Sequence, residues 1–229
     1  MIKNIINIGL PSKGRLKEDT IKIFKKNKLN IHSERGERDL FGYIKKLPNV
    51  KLIYLHAREI LEQMSLGNID IGFSGYDLFC ESEPNIKKNI LIKKKLNFGG
   101  ATVVLAIPDF WIDVQTLLDL DEVADEFKKK KKRLLRIATK YENLTRQFLY
   151  SKGVTQFQLV KSLGSTEVAP FTGTAEAISD ITSTGATLKA NNLRILKDGE
   201  ILQSQACLMI SKLNSKKAGI KKIINLLSK

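Results

Sequence analysis

Cysteine, histidine and tryptophan are scarce: the 229 residues carry two, two and one of them. Cys80 and Cys207 form no CxxC pair and cannot build a disulfide framework, which fits a reducing compartment. Both sit among apolar neighbours and read as core. His32 and His56 lie near no nucleophile motif and at no metal-ligand spacing. They read as surface or packing residues, and no metal site built from protein side chains is expected. No run approaches the roughly 18 apolar residues of a membrane span. The opening MIKNIINIGLPSKGRL has an apolar stretch too short and too polar for a signal peptide, and Pro11 ends it. The expectation is a soluble, cytoplasmic protein with no membrane partner. No GxGxxG follows a strand and no GxxxxGK[ST] occurs, which excludes a standard dinucleotide fold and a P-loop enzyme.

What is abundant is positive charge. There are 39 Lys+Arg against 24 Asp+Glu, a formal charge of +15, and the sequence pI is about 9.7. Such a balance can mark a nucleic-acid, membrane or phosphate-ligand partner, so its distribution matters more than its total. The run Lys128-Lys129-Lys130-Lys131-Lys132-Arg133 supplies six units, and the segment from Lys189 onward a further +7. The rest of the chain is nearly neutral. The lysine run lacks interleaved aromatics, so it reads as a solvated loop after a helix rather than a nucleic-acid surface. At 42% hydrophobic and 28% charged, the composition is globular, and the length allows one large domain or two small ones.

Strand-like and helix-like segments alternate along the chain. Ile5–Leu10 is a short buried strand, and Leu16, Thr20, Ile23 and Phe24 then share one helical face. Leu52–Leu55 reads as a strand, Ile60–Leu66 as a helix, and Ile69–Phe73 as a strand running into Ser74-Gly75. Ala101–Ile107 is a strand entered through Gly99-Gly100. A helix carrying Leu117, Leu120, Ala124 and Phe127 follows. Leu135–Ala138 is a strand and a helix begins near Asn143, with Gly153 as its stop. Ile178–Ile181 is a strand leading through Ser183-Thr184-Gly185 into a helix. A turn at Lys197-Asp198-Gly199, a strand Ala206–Ile210 and a last helix through Leu227 complete the pattern. Alternation of this kind predicts an α/β fold with largely parallel sheets and no flexible tether between domains.

Four strand-to-helix turns could carry chemistry. In Ala177–Leu188 (AISDITSTGATL), a strand ends in Asp-x-x-Ser-Thr-Gly and opens a helix. The free N–H groups of a helix start, its dipole and the neighbouring hydroxyls together make a phosphate cradle, and Asp180 beside it can accept bonds from ribose hydroxyls. The plainer reading is a capped helix after a turn. Pro11-Ser12-Lys13-Gly14-Arg15 puts two cations at a helix start, which is unfavourable unless an anion joins them. Gly72–Asp77 and Leu163–Glu167 have a similar form. Four such turns in one α/β chain suggest a site for a polyanion, since ligands gather at the carboxyl ends of parallel strands.

LPSKGRL (10–16), IDIGFSGYDLF (69–79), RIATKYENLTRQF (136–148), SLGSTEVAP (162–170) and DITSTGATLKANNL (180–193) together resemble the ATP phosphoribosyltransferase family, in its short form. The resemblance covers almost the whole chain. It implies two α/β lobes with a central cleft, similar to periplasmic binding proteins: residues 1–98 with 190–229 as the first lobe and 99–189 as the second. It implies joining ATP, through adenine N1, to C1 of phosphoribosyl pyrophosphate with release of pyrophosphate, and a need for Mg²⁺. A regulatory subunit resembling a histidyl-tRNA synthetase is the implied partner, with a homodimer inside a hetero-oligomer. The implied phosphate site is Ser183, Thr184, Gly185, Ala186 and Thr187. Asp180 and Glu176 (the family more often has Asp at the latter) would contact the ribose, and Lys13 and Arg15 would face pyrophosphate or ATP phosphates. Arg58, Ser74 and Gly75 are further candidates for the nucleotide. Two rival readings stand beside this one: a non-catalytic solute-binding protein of the same architecture, and a nucleic-acid-binding protein.

Overall fold

A computed structural model describes residues 5–33 and 40–228. The chain runs β1 (Ile6–Pro11), α1 (Gly14–Lys26), β2 (Ile31–His32), β3 (Phe41–Ile44), β4 (Val50–Leu55), α2 (Ala57–Ser65), β5 (Ile71–Gly75), α3 (Tyr76–Glu81), α4 (Pro84–Lys87) and β6 (Ile90–Lys95). It continues with β7 (Ala101–Pro108), α5 (Leu117–Lys131), β8 (Leu135–Thr139), α6 (Glu142–Ser151), β9 (Phe157–Lys161), β10 (Ala177–Thr182), α7 (Ala186–Ala190) and β11 (Leu193–Ser204), and closes with β12 (Ala206–Ser211) and α8 (Ile220–Leu227). These elements form two compact units, Met1–Gly100 with Gln205–Lys229, and Ala101–Ser204.

The first unit is built on a seven-stranded sheet in the order β2-β3-β4-β1-β5-β12-β6. Strands β4, β1 and β5 run parallel at its centre, with Ile8 opposite both Leu52 and Ile71. Central parallel strands are buried on both faces, and β1 and β5 carry the corresponding apolar runs. On one face Ile8, Leu10, Phe24, Phe73, Leu208 and Ile220 belong to one core. On the other, Ile60, Leu61 and Met64 of α2 pack with Ile69, Cys207 and Met209. Gly72 makes that second packing possible. A Cβ there would stand 2.4 Å from Met64 Sδ and 2.6 Å from Ile60 Cγ2.

The second unit has a five-stranded sheet, β11-β7-β10-β8-β9, in which β10, β8 and β9 are parallel and β7 is antiparallel to β10 and β11. Leu105, Ile107, Leu120, Leu135, Ile137 and Leu149 form its main core. The boundary expected after residue 189 moves to 204. The reason is that β11 pairs along its length with β7, from Leu193 opposite Pro108 to Ser204 opposite Ala101.

Two other expectations are corrected. The lysine run is not a loop: Lys128–Lys131 form the last turn of α5, and only Lys132 leaves the helix, in the left-handed conformation at φ 53°. Lysine is a good helix former, and cations at a helix C-terminus complement its dipole. The Lys197-Asp198-Gly199 turn is an irregularity inside β11, whose pairing with β7 jumps from Ile195–Ala106 to Glu200–Val104. There Asp198 Oδ1 accepts from Leu117 N at 2.9 Å and caps the start of α5, and a Cβ on Gly199 would lie 2.9 Å from the Leu105 carbonyl.

Candidate functional site

In the second unit the parallel strands β10, β8 and β9 end side by side, bringing the segments after Thr182, Thr139 and Lys161 to one edge of the sheet. Asp180 is 8% exposed. Its Oδ1 accepts from the N–H of Ile181 at 2.8 Å, and its Oδ2 lies 3.8 Å from Lys140 Nζ. Three residues further on the chain enters the loop Ser183-Thr184-Gly185. Gly185 adopts φ +74° with nothing within 4 Å of a built Cβ, so backbone conformation rather than space calls for glycine. Its N–H donates to Thr182 Oγ1 at 2.8 Å, and Ala186 N–H donates to Thr184 Oγ1 at 3.3 Å. The loop's own hydroxyls therefore hold two of the amides expected to cradle phosphate, and an anion there competes with them. Ser183, Thr184, Ala186 and Thr187 are exposed. Leu188 is buried with Val104, Ala138 and Ile178, which pins α7 to the sheet.

Glu176 lies at the opposite end of β10. It precedes the strand, four positions before Asp180, about 13 Å at strand rise. Its carboxylate accepts from Arg133 Nη2 at 2.9 Å, from Arg136 Nη2 at 2.7 Å and from Arg136 N at 2.8 Å. Burial pushes this carboxyl up, but the hydrogen bonds from Arg133 and Arg136 outweigh it and hold the pKa near 2. Expected at the ribose, Glu176 instead has its carboxylate engaged as a brace between β8 and β10, at the end of β10 away from the phosphate loop.

In the first unit the central strands β4, β1 and β5 also end on one edge, each followed by a helix: α2, α1 and α3. Lys13 is the N-cap residue of α1, with no side-chain cap and no acidic residue in the first turn. Arg15 is 75% exposed and lies 3.7 Å from Asp19. Arg58 is in the first turn of α2, whose start is capped by His56 Nδ1, accepting from Arg58 N at 3.4 Å. Ser74 departs from expectation. It is fully buried and its hydroxyl donates to Ala57 O at 2.8 Å, tying β5 to α2. At Gly75 a Cβ would meet Asp77 Oδ1 at 2.3 Å, so the acid of α3's first turn folds back over that position. The next amide, Tyr76 N, donates to Gln205 O. The Ser74 hydroxyl is thus taken up by packing within the unit, and the Asp77 carboxylate lies over Gly75.

The sequence reading takes His56 as a surface or packing residue, whereas it caps α2, and it singles out neither Lys140 nor the buried hydroxyls Thr139, Thr145 and Ser179. Lys140 directly follows Thr139, the last residue of β8, which runs parallel to the strand that carries Asp180. Cys207 is buried and Cys80 half-buried, and burial raises both thiols, Cys207 to about 11. Among the described residues no group of three His, Cys, Asp or Glu could hold a metal ion, and no helix is long and apolar enough to cross a membrane.

The fold is that of a two-unit α/β protein of the periplasmic-binding-protein type. A protein from Bacillus subtilis described as a probable amino-acid ABC transporter extracellular-binding protein shares the fold at a TM-score of 0.53, with 14% identity, covering 98% of this chain and 95% of that one. Residues 56–229 match the family model for ATP phosphoribosyltransferase, HisG, and the chain belongs to that family. An ATP phosphoribosyltransferase from Nitrobacter winogradskyi is 48% identical over 205 residues, covering 90% of this chain and 63% of that protein. One from Chelativorans is 45% identical over 208 residues, covering 90% of each. This chain thus spans under two thirds of the Nitrobacter relative and most of the Chelativorans one. A chain of the ATP phosphoribosyl transferase (HisG:HisZ) complex from Thermotoga maritima matches at a TM-score of 0.73 and 25% identity, covering 98% of this chain and 97% of that one. Asp180 and residues 183–187 lie inside the family match, whereas Lys13 and Arg15 precede it.

Proposed function

We propose that this chain is the catalytic subunit of a short-form ATP phosphoribosyltransferase, joining adenine N1 of ATP to C1 of phosphoribosyl pyrophosphate in the first step of histidine biosynthesis. Asp180 beside the loop 183–187, within the family match, is the observation that carries the reading. Breaking the bond from C1 to pyrophosphate develops oxocarbenium character at C1 and negative charge on the leaving group. Such a step depends on positioning and electrostatics rather than on a protein nucleophile. Asp180 holds the ribose hydroxyls, and residues 183–187 hold the 5-phosphate through amides and hydroxyls. Lys13, Arg15 and Arg58 face phosphate or pyrophosphate groups of the substrates.

Magnesium belongs to this reading as an ion carried by the substrate. A Mg²⁺ that keeps its waters and binds mainly to phosphates needs few protein ligands. When bound, it neutralises pyrophosphate charge. A HisZ-like regulatory subunit is the proposed partner, supported by the Thermotoga maritima complex, and the cytoplasm is the proposed compartment. The solute-binding alternative rests on fold likeness alone.

The test mixes the chain with a regulatory subunit, ATP, phosphoribosyl pyrophosphate and Mg²⁺, and follows phosphoribosyl-ATP. Asp180→Ala should lower kcat/KM by about 100-fold or more, on the usual scale for a lost electrostatic or positioning contact. No product from the wild-type mixture removes the proposal. Full activity in Asp180→Ala removes the ribose assignment alone.

A further inference from the structure

We propose that Lys140 is the cation that receives the pyrophosphate of the phosphoribosyl donor, beside Asp180, an assignment that rests on the phosphoribosyl reading above. Lys140 follows β8 directly, and Thr139 is in register with Ser179 of the parallel neighbour β10. That register sets residue 140 level with Asp180, and Nζ comes within 3.8 Å of Oδ2. The backbone carrying Lys140 is fixed from both sides. Thr139 Oγ1 accepts from Tyr141 N at 2.8 Å, and Ser162 N donates to the Thr139 carbonyl at 2.9 Å. Beneath it, Thr145 Oγ1 donates to Ser179 Oγ at 2.7 Å and lies 3.4 Å from Thr139 Oγ1, all three side chains fully buried. A lysine at a free surface turn has no such foundation. The side chain itself is 38% exposed, against 11% for Asp180, so the ammonium is the solvent-facing member of the pair.

The chemistry asks for a cation here. A carboxylate that accepts ribose hydroxyls also repels the pyrophosphate on the adjacent carbon, and a cation within about 4 Å offsets that repulsion. The same ammonium then meets charge that grows on the leaving group, where a preorganised donor lowers the barrier.

The competing role is a structural strut for Asp180. Calorimetric titration of the full chain with phosphoribosyl pyrophosphate and with ribose 5-phosphate separates the two. Lys140→Met should weaken phosphoribosyl pyrophosphate binding about tenfold or more, the usual loss for a charged hydrogen bond. Ribose 5-phosphate, which lacks the pyrophosphate, should bind within about twofold of wild type, because the hydrogen bond it could lose is absent. Lys140→Arg should restore most of the phosphoribosyl pyrophosphate affinity, which also controls for a Met variant that folds poorly. Unchanged phosphoribosyl pyrophosphate affinity in Lys140→Met, or equal loss for both ligands with wild-type thermal stability, overturns the assignment and leaves the proposed function standing. A wild-type chain that binds neither ligand overturns both.

Discussion

Glu176 shows how a single carboxylate can be conspicuous for structural reasons. Its pKa falls from 4.5 to about 2 on folding, so the folded chain binds this proton more weakly than the unfolded one. The stability this confers is present in full above pH 4.5 and is lost as pH falls towards 2, where protons favour the unfolded state. The difference converts to roughly 3 kcal/mol, an upper figure because Arg133 and Arg136 are partly exposed. Glu176→Gln should therefore lower Tm at pH 7 and flatten the fall in stability between pH 4.5 and 2, while leaving ribose 5-phosphate affinity unchanged. Gly72→Ala tests a different contact. Forcing a methyl against Met64 and Ile60 should cost about 1–3 kcal/mol, read from urea unfolding. At this scale the sequence was legible wherever a residue's conformation depends on its immediate neighbours in the chain, as at Gly185, whose left-handed backbone opens α7. It was not legible for Glu176 or Ser74. What decides their roles is an arginine 43 residues away and a carbonyl 17 residues away.

Helix α5 illustrates the same division one level up. Its start is fixed by a reciprocal pair, Thr116 and Asp119, and by Asp198 from an irregularity in β11. Asp198→Ala should cost about 1 kcal/mol and speed amide exchange at residues 117–119 without affecting the helix end. The helix itself was readable from its apolar period. Its last turn was not, because consecutive lysines look alike in a loop and at a helix C-terminus. Lys-Asp-Gly likewise carries the local chemistry of a turn, and only the pairing of β11 with β7 on both sides of it reveals a bulge. Strands β2, β3, β6 and β9 escaped for a common reason: all are short or lie toward a sheet edge. In β6 the exposed Lys93, Lys94 and Lys95 interrupt any apolar pattern, a composition that guards an edge against pairing with other chains.

For the whole molecule, the informative fact is that one unit is continuous in sequence and the other is not. Residues 101–204 hold their own sheet and core. Expressed alone they should fold cooperatively, with a single thermal transition and protected amides in β7, β8 and β10. Residues 1–100 alone should not reach their native sheet, because β12 lies between β5 and β6. Addition of a 205–229 peptide in trans should raise protection in β5 and β6; protection already native without it would contradict this. The order of strands along the sheet also bears on synthesis. As the chain leaves the ribosome, β5 and β6 emerge more than a hundred residues before the strand that joins them. At about 5–20 residues per second, the first unit spends several seconds with an open seam while the second is made. During that interval the nascent chain has two unpaired strand edges, and the lysines of β6 give one of them a charge barrier against its neighbours on the same polysome.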